Sequence, residues 1–512
     1  NSLILVNGIR LNDIDMSNVN LSYIPIDSIE RIEIIRGGSA GTLYGSGVIG
    51  GAVNIVTKND NLQNRGELSF GSYNKLGADF SLSNSFSKNG FISLSGTGFT
   101  SDTFRDAGDY SDENFVLNIN NTTNQTKFNL DIFSSYREQD LPGPRVKGGA
   151  VYNYHFCNRY EESKTAKHIG GSFATNGDTC NSDQRDDYSN LENDRINLGI
   201  VHEIDSLKKI YLNIGYKKKN DKAFLAANGN TKETPNNGDR YLNTTIDGNI
   251  FNGRYEVRNV DEKFTNILNI GFDHSHSFYI SKRHRKEDEQ VGQNYDADLK
   301  VQSVYFQNTV YFNETDTSLS FGLRSEESQF GARDEVDRTV SGFVNSWDAT
   351  DHATYDNSST NQALNIGIEK KIDKNFSIYG NYSESFRIPN IDERILATTS
   401  GSFELKDQKS DGIEIGVIYS NEVANLNINY FDINTLNEIQ YDQSVNTNLD
   451  PIKREGINLD FEFSPDNKNK FVGSIGYVNA EFTGGSLSMG TGSYEFLGTR
   501  YYNNNETYGY LT

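Results

Sequence analysis

The chain has 512 residues of which 35% are hydrophobic, at a mean hydropathy of -0.64, too apolar-poor to build the several large cores a soluble chain of this length would bury. Its formal net charge of -22 leaves no broad basic surface to neutralise phosphates, so nucleic acid is excluded as a partner. Tyr (29) and Phe (30) are plentiful beside one Trp, 7 Pro and 46 Gly, a balance that favours strands and turns and predicts an all-β chain. No apolar run of about 18 residues offers a membrane-spanning helix, so a membrane form has to be a barrel.

The first chemistry-bearing stretch, residues 29–58, reads "IERIEIIRGGSAGTLYGSGVIGGAVNIVTK". Gly45-Ser46-Gly47-Val48-Ile49-Gly50 matches the GxGxxG of a dinucleotide loop, and Gly37-Gly38-Ser39-Ala40-Gly41 matches the GxSxG of a hydrolase elbow. Both motifs need a helix behind them. After Gly50 the sequence continues as an extended run from Gly51 to Lys58, and a helix through Gly41, Gly45 and Gly47 costs about 1 kcal/mol at each glycine relative to alanine. The glycines are therefore assigned to tight turns and close packing in a small mixed α/β unit. No catalytic residue is expected.

From about residue 65 the pattern changes to period two. Apolar triplets such as Phe115, Leu117, Ile119 and Phe128, Leu130, Ile132 recur through Leu212, Ile214, Tyr216 and Leu364, Ile366, Ile368 to Ile413, Ile415, Val417 and Ile457, Leu459, Phe461. Polar residues alternate with them, among them Asn118, Asp131, Asn213, Glu414, Asp460 and Glu462. Roughly 18 such segments, each with one apolar and one wet face, suit a wide barrel with lipid outside and water inside. Short turns such as Asp373–Asn375 alternate with long polar connections, Pro142–Asp194, Asp221–Asp239 and Glu326–Asn361, as short periplasmic turns alternate with long outer loops.

Within the first long connection, Cys157 and Cys180 are the only cysteines, and their place in a polar loop predicts a disulfide in an oxidising compartment. Asp183, Asp186, Asp187 and Asp194 crowd the same region and form a candidate Ca²⁺ loop, although no EF-hand spacing is present. "LPGPRVKGGAVYNYHF" supplies Arg145, Tyr152, Tyr154 and His155, the mixture of aromatic rings and cations a chelate-binding loop uses. Further on, "SKRHRKEDE" places Arg283 and Arg285 in a basic run that would attract an anionic ligand in an otherwise acidic protein. His274 and His276 share one strand face, but two His without a third ligand are an incomplete metal site.

The stretches "SLILVNGIRL" and "YIPIDSIERIEIIRGGSAGTLYGSGVIGGAVNIVTK" resemble the second half of the plug domain of TonB-dependent outer-membrane transporters. Weaker resemblances follow downstream: "SESFRIPNIDERI" to a Phe-Arg-x-Pro segment, "ELKDQKSDGIEIGV" to a Leu-Lys-Pro-Glu stretch, and "NLDPIKREGINLDFEF" to a late strand with an Arg-x-Gly entry. Asn7 stands where the family usually has Asp, Gly38 where Pro is common, and Asp407 likewise. The resemblance implies a plug remnant over residues 1–60 and a transmembrane barrel over 61–512, with about 18 of the roughly 22 strands of such transporters and both ends incomplete.

The implied function is energised import of a scarce nutrient, without covalent chemistry and so without an enzyme's active site. A ferric siderophore or other iron complex is the expected ligand, with cobalamin, and a calcium-binding outer loop, as the alternative; a passive porin or surface binding protein is the rival from another class. The implied partners are the TonB-ExbB-ExbD energy-coupling complex, through a segment preceding Asn1, and outer-membrane lipid and lipopolysaccharide around a monomer. No cofactor is required beyond the possible Ca²⁺. Glu30, Arg31, Glu33 and Arg36 alternate along the plug strand, and Glu414, Asp460 and Glu462 are the carboxylates expected to pair with its arginines across the plug–barrel boundary.

Overall fold

The computed structural model describes residues 2–15, 19, 21, 24–35, 37–58, 64–103, 108–141, 157–158, 167–168, 187–225, 240–284, 293–335, 354–395, 403–442, 445–466, 468–483 and 508–511. Two units are built from them. The first is a four-stranded sheet of β1 (Leu3–Val6), β2 (Ile9–Arg10), β3 (Ile29–Ile35) and β4 (Ala52–Thr57) in the order β2-β1-β4-β3. β1 and β2 form a hairpin through Asn7 and Gly8, both at positive φ (51° and 80°), the conformation for which Asn-Gly is preferred. β1 runs parallel to β4, and β3 antiparallel to it.

Between β3 and β4 the glycine-rich run forms a 3₁₀ turn, Gly37–Ala40, and then α1 (Gly41–Tyr44). A single helical turn thus forms where none was expected. It is too short to cost much at its glycines, and Gly41 allows it to lie against the wall: a Cβ there would meet Ala363 Cβ at 3.1 Å. Leu3, Leu5, Ala40, Val48 and Ala52 form one core of this unit. Val6, Leu11, Ile24 and Ile55 form another, which is shared with Val116 and Phe133 of the surrounding strands.

The second unit is an antiparallel wall of eighteen strands in one ring order, beginning at Arg65–Phe70 and ending at Tyr508–Leu511. Consecutive strands are paired throughout, and Tyr188–Asp205 pairs with Thr126–Asp140 across the long first connection. Tyr508–Leu511 meets Phe471–Phe482 over four residues, with no register described across the seam to Arg65–Phe70.

The wall is turned inside out relative to a soluble sheet. Phe115, Ile214, Ile270, Phe272, Ile366 and Ile415 are exposed, whereas Asn114, Asn118, Asp131, Lys217 and Asn365 are buried. Apolar residues face outward and polar ones the interior, as the alternating triplets require when the surroundings are lipid.

Strands run further than their hydrophobic pattern. Lys208–Leu225, Thr317–Asp334 and Thr354–Lys371 absorb the ends of connections expected to start at Asp221 and Glu326 and to finish at Asn361. Backbone pairing continues where polar residues occupy both faces, so the ladder persists after the alternation has vanished. The short turns behave as expected: Asp373 Oδ1 accepts the N–H groups of Asn375 (2.8 Å) and Phe376 (3.0 Å), an Asx turn.

Candidate functional site

The four-stranded unit is fastened to the inner wall by buried polar contacts. In the loop after β2, Asp13 Oδ1 lies 2.5 Å from Lys217 Nζ, and Asp15 Oδ2 lies 2.7 Å from Lys219 Nζ. Arg195 stands 3.8 Å from Asp13 and donates to the carbonyls of Arg10 (3.1 Å) and Leu11 (2.9 Å). Burial alone would push the Asp13 carboxyl up, but Lys217, Arg195 and Lys219 hold it down at about 2. Asp15 moves the other way: burial outweighs Lys219 and raises it.

A second fastening surrounds Gly45. Arg324 Nη1 lies 2.6 Å from Asp273 and its Nη2 2.8 Å from Glu326, all on the wall. Arg10 reaches from β2 to the carbonyls of Tyr44 (3.2 Å) and Ser46 (2.5 Å). Gly45 has φ 71°, and a Cβ there would lie 2.1 Å from Glu326 Oε2, so this turn must lack a side chain both for its backbone and for its neighbour. Beside it is a cavity of about 160 Å³ lined by Arg10, Asp13, Lys217, Asp273, Arg324 and Glu326 among others, polar enough and large enough to hold several waters.

On the opposite side of the unit Asn7 Nδ2 donates to Asp131 Oδ2 (3.0 Å) and Thr57 Oγ1 (2.8 Å), and its Oδ1 accepts the Thr57 N–H (2.9 Å).

Above the unit lies a folded connection between the strands Phe376–Arg387 and Gln408–Ser420. It contains α2 (Ile391–Ile395). Asn390 Oδ1 accepts the Glu393 N–H (2.8 Å), and Glu393 Oε2 accepts the Asn390 N–H (3.0 Å), a reciprocal cap. Arg387 Nη1 donates to both Glu393 oxygens (3.0 and 2.7 Å). Arg394, 2% exposed, lies over the rings of Phe330 (4.6 Å) and Tyr355 (5.3 Å) and donates to the carbonyls of Phe403 (3.1 Å) and Leu405 (3.3 Å).

This connection grips the inner unit directly. The Ile391 N–H donates to Ile14 O (2.9 Å), the Ile388 N–H to Ser46 Oγ (2.9 Å), and Gly47 N–H to Phe386 O (3.0 Å). Ile14, Ile391 and Phe403 share one apolar cluster with Tyr279, Tyr295 and Phe330 of the wall.

The residues singled out from sequence are distributed unevenly over this arrangement. Arg283 is brought to it: its Nη2 lies 3.5 Å from Asp392 of α2 and 3.3 Å from Tyr279 Oη, over the ring of Tyr295 at 5.1 Å. Arg145, Tyr152, Tyr154, His155, Arg285, Arg36, Asp183, Asp186 and Cys180 lie outside the described residues, and for Cys157 only a backbone pairing with His168 is described.

The expected plug–barrel ion pairs need correction. Arg31 bonds to Glu30 and Glu33 of its own strand, each at 2.8 Å and roughly half exposed, because β3 is the sheet's edge and its charged side chains meet one another first. Glu414 instead accepts Tyr379 Oη–H (2.8 Å) and Asn429 Nδ2–H (2.9 Å), Asp460 accepts Ser474 Oγ–H (2.7 Å), and Glu462 pairs with Lys470 (2.9 Å). The boundary is bridged by Asp13, Asp15, Arg195, Lys217 and Lys219, which the sequence reading missed; the available signal was two inward lysines at alternate positions of one strand, which need anions when buried.

Of the four aspartates of the candidate Ca²⁺ loop, only Asp187 and Asp194 are among the described residues. Asp187 directly precedes the strand Tyr188–Asp205 and is 6% exposed, while Asp194 within that strand accepts from Ser134 (2.7 Å). Among the described residues no group of three His, Cys, Asp or Glu side chains is placed to hold a metal. His276 faces outward and lies 3.0 Å from Asp298.

Residues 145–511 match the family model for the TonB dependent receptor-like β-barrel, and residues 1–52 that of the TonB-dependent receptor plug domain. The vitamin B12 transporter BtuB of Photobacterium profundum is 47% identical over 55 residues, 11% of this chain and 9% of that protein. BtuB of Vibrio vulnificus is 33% identical over 96 residues, 18% of this chain and 16% of that protein. These matches thus span under a fifth of the curated relatives' lengths. Among solved structures, the closed form of the ferric-catecholate import receptor Fiu from K12 E. coli superposes with a TM-score of 0.70 at 14% identity, covering 94% of this chain and 73% of the other. The unliganded ferric citrate transporter FecA gives 0.69 at 15%, covering 94% and 69%.

Proposed function

Because the chain belongs to the TonB-dependent receptor family, a family of outer-membrane receptors and transporters, we propose that it is an outer-membrane receptor and active importer of an iron complex, energised by the TonB-ExbB-ExbD complex. One observation carries this reading: a folded unit is held inside the wall by buried ion pairs while an outer connection grips the same unit through Ile14 and Ser46. A passive pore needs neither fastening. An obstruction that must respond to a ligand above and to force from below needs both, since ion pairs and hydrogen bonds can be broken and remade in discrete arrangements. No bond of the cargo is made or broken, so the protein acts as a receptor and not as an enzyme.

The iron reading draws on the structural neighbours, which include receptors for ferric catecholate, ferric citrate and siderophores. Cobalamin, with a calcium-binding outer loop, is the second reading, favoured by the two BtuB matches. The proposed setting is the outer membrane of a Gram-negative bacterium, with lipid and lipopolysaccharide against the outward apolar face of a monomeric barrel. Cells lacking their own receptors and expressing the full-length protein provide the test, with uptake of radio-iron complexes and of labelled cobalamin compared before and after the inner-membrane proton gradient is dissipated. Gradient-dependent accumulation of an iron complex is expected. Uptake that is indifferent to the gradient would make the protein a passive pore.

A further inference from the structure

Asp131 is a buried carboxylate met by amides. It is 1% exposed; its Oδ1 accepts from Asn118 Nδ2 (2.6 Å), and its Oδ2 from Asn129 Nδ2 (2.7 Å) and, across the boundary, from Asn7 Nδ2 (3.0 Å). Among the described residues it forms no ion pair, whereas the buried Asp13, Glu326 and Glu393 each meet a cation. Arg195, on the adjacent strand, turns its guanidinium to Asp13 and to the carbonyls of Arg10 and Leu11. Lys127, on the same face, stands about 13 Å away along the strand.

Beside this carboxylate are two amide oxygens that accept nothing among the described residues. In the strand pair Tyr110–Thr123 and Thr126–Asp140, Asn118 stands opposite Asp131 and Asn120 opposite Asn129, so the four side chains form one block on the inner face. Asn120 is 4% exposed, and neither its Oδ1 nor its Nδ2 has a partner; the Oδ1 of Asn129 has none either. The neighbour of Asn120 on its other side is Phe91, which offers no polar group. We propose that a monovalent alkali cation is held against Asp131 by the oxygens of Asn120 and Asn129, at the boundary between the inner unit and the wall.

The chemistry of the block fits such an ion. A buried charge needs a countercharge, and carboxylate and amide oxygens are the ligands that hard cations take. A carboxylate has about four lone-pair positions; three amide hydrogens occupy Asp131, which leaves one for the ion. A single carboxylate offsets one positive charge and not two. The place of the ion also gives it a structural effect. Asn7 joins β1 to β2 and donates both to Asp131 and to Thr57 of β4, so an ion on Asp131 steadies the corner at which three strands of the inner unit meet the wall. This inference is independent of the cargo that the receptor carries.

The test uses the full-length protein in detergent, with sodium, potassium or calcium chloride replacing choline chloride at constant ionic strength, and reads hydrogen exchange in β1, β2 and β4. With sodium or potassium at about ten times its dissociation constant, protection is expected to be about tenfold higher than in choline chloride. Asp131→Asn is expected to lose this gain. Asn120→Leu, which removes no hydrogen bond among the described residues, is expected to lose most of it. Asn365→Leu removes another orphaned amide oxygen, on the strand Thr354–Lys371, and is expected to keep it. Wild-type protection that is the same in choline as in sodium and potassium overturns the proposal. So does an equal gain in Asp131→Asn, which would be a general salt effect, and a gain with calcium alone overturns the monovalent assignment. If Asp131→Asn does not fold, Asn120→Leu decides: a full gain in that variant overturns the site.

Discussion

Asn7 and Asp131 meet across the boundary between the inner unit and the wall in one polarity only: the Asn7 amide donates, at 3.0 Å, to a wall carboxylate that is 1% exposed. The resembling family usually places Asp at the position of Asn7, and here the wall already supplies the negative charge. Asn7→Asp would set two carboxylates against each other and remove a donor from Asp131, a buried acceptor. The expected cost is about 2 kcal/mol or more, seen as a lower melting temperature and freer hydrogen exchange in β1, β2 and β4. Adding Asp131→Asn should restore most of the loss; a double variant as unstable as Asn7→Asp alone would show that the pair is not the cause.

The Asp13 latch sets an acid limit. Its folded carboxyl is held at about 2, below the unfolded value of about 3.9, so its contribution is fully present above about pH 4 and is lost as the pH falls toward 2. The amount is on the order of 2 kcal/mol. Asp15, raised by burial, runs in the opposite sense: it favours the folded state at pH below its unfolded value and gives that up as the pH rises through its folded one. Protection of residues 10–15 from exchange should therefore hold from neutral pH down to about 4 and fail below it, and Asp13→Asn should fail at every pH. Protection that already collapses near pH 6 would be incompatible with this latch.

Gly45 tests the second fastening. With φ 71° and a prospective Cβ 2.1 Å from Glu326 Oε2, Gly45→Ala combines backbone strain with a displaced ion pair, and about 2–4 kcal/mol of destabilisation is expected. Gly66→Ala is the internal control, since nothing lies within 4 Å of its Cβ position. Thermal melts of the two variants should differ clearly, and equal melts would contradict the close approach.

Arg394 is a scaffold cation. Lysine keeps its charge but not the flat group that lies over Phe330 and Tyr355 and reaches two carbonyls. Arg394→Lys should expose residues 388–395 and 403–407 to limited proteolysis, at an expected local cost of about 3 kcal/mol, while the barrel's melting temperature stays near that of wild type. A connection as protease-resistant as before would mean that Ile391 and Phe403 hold it unaided.

The architecture was legible wherever one face met lipid. The Phe115, Leu117, Ile119 alternation with Asn118 inside survives, because a strand's period fixes which residues share a face. Asn7-Gly8 and Asp373 likewise declare their turns through backbone requirements. What was not legible depends on rotation and height within the wall: Asp13 finds Lys217 two hundred positions away, and nothing local distinguishes it from a solvated loop aspartate. Glu30, Arg31 and Glu33 misled for the converse reason, since their nearest partners are their own neighbours. Arg394 sits in a polar connection that reads as hydrated, and only the closing of residues 403–407 over it makes it a core residue.

The strands are unequal in a way that shapes the mouth. Arg240–Val260 and Phe264–His284 have 21 residues each, whereas Phe376–Arg387 and Ile452–Phe463 have 12. At about 3.3 Å per residue and a tilt of about 40°, nine further residues add roughly 20 Å of height. Among the described strands the wall is therefore uneven, taller along Arg240–Val260 and Phe264–His284 than along Phe376–Arg387, with the α2 connection rising from the shorter strand and packing against Tyr279 and Phe330. The longest strands thus carry the apolar support of a connection that springs from one of the shortest, and α2 is buttressed from across the wall as well as from its own strand.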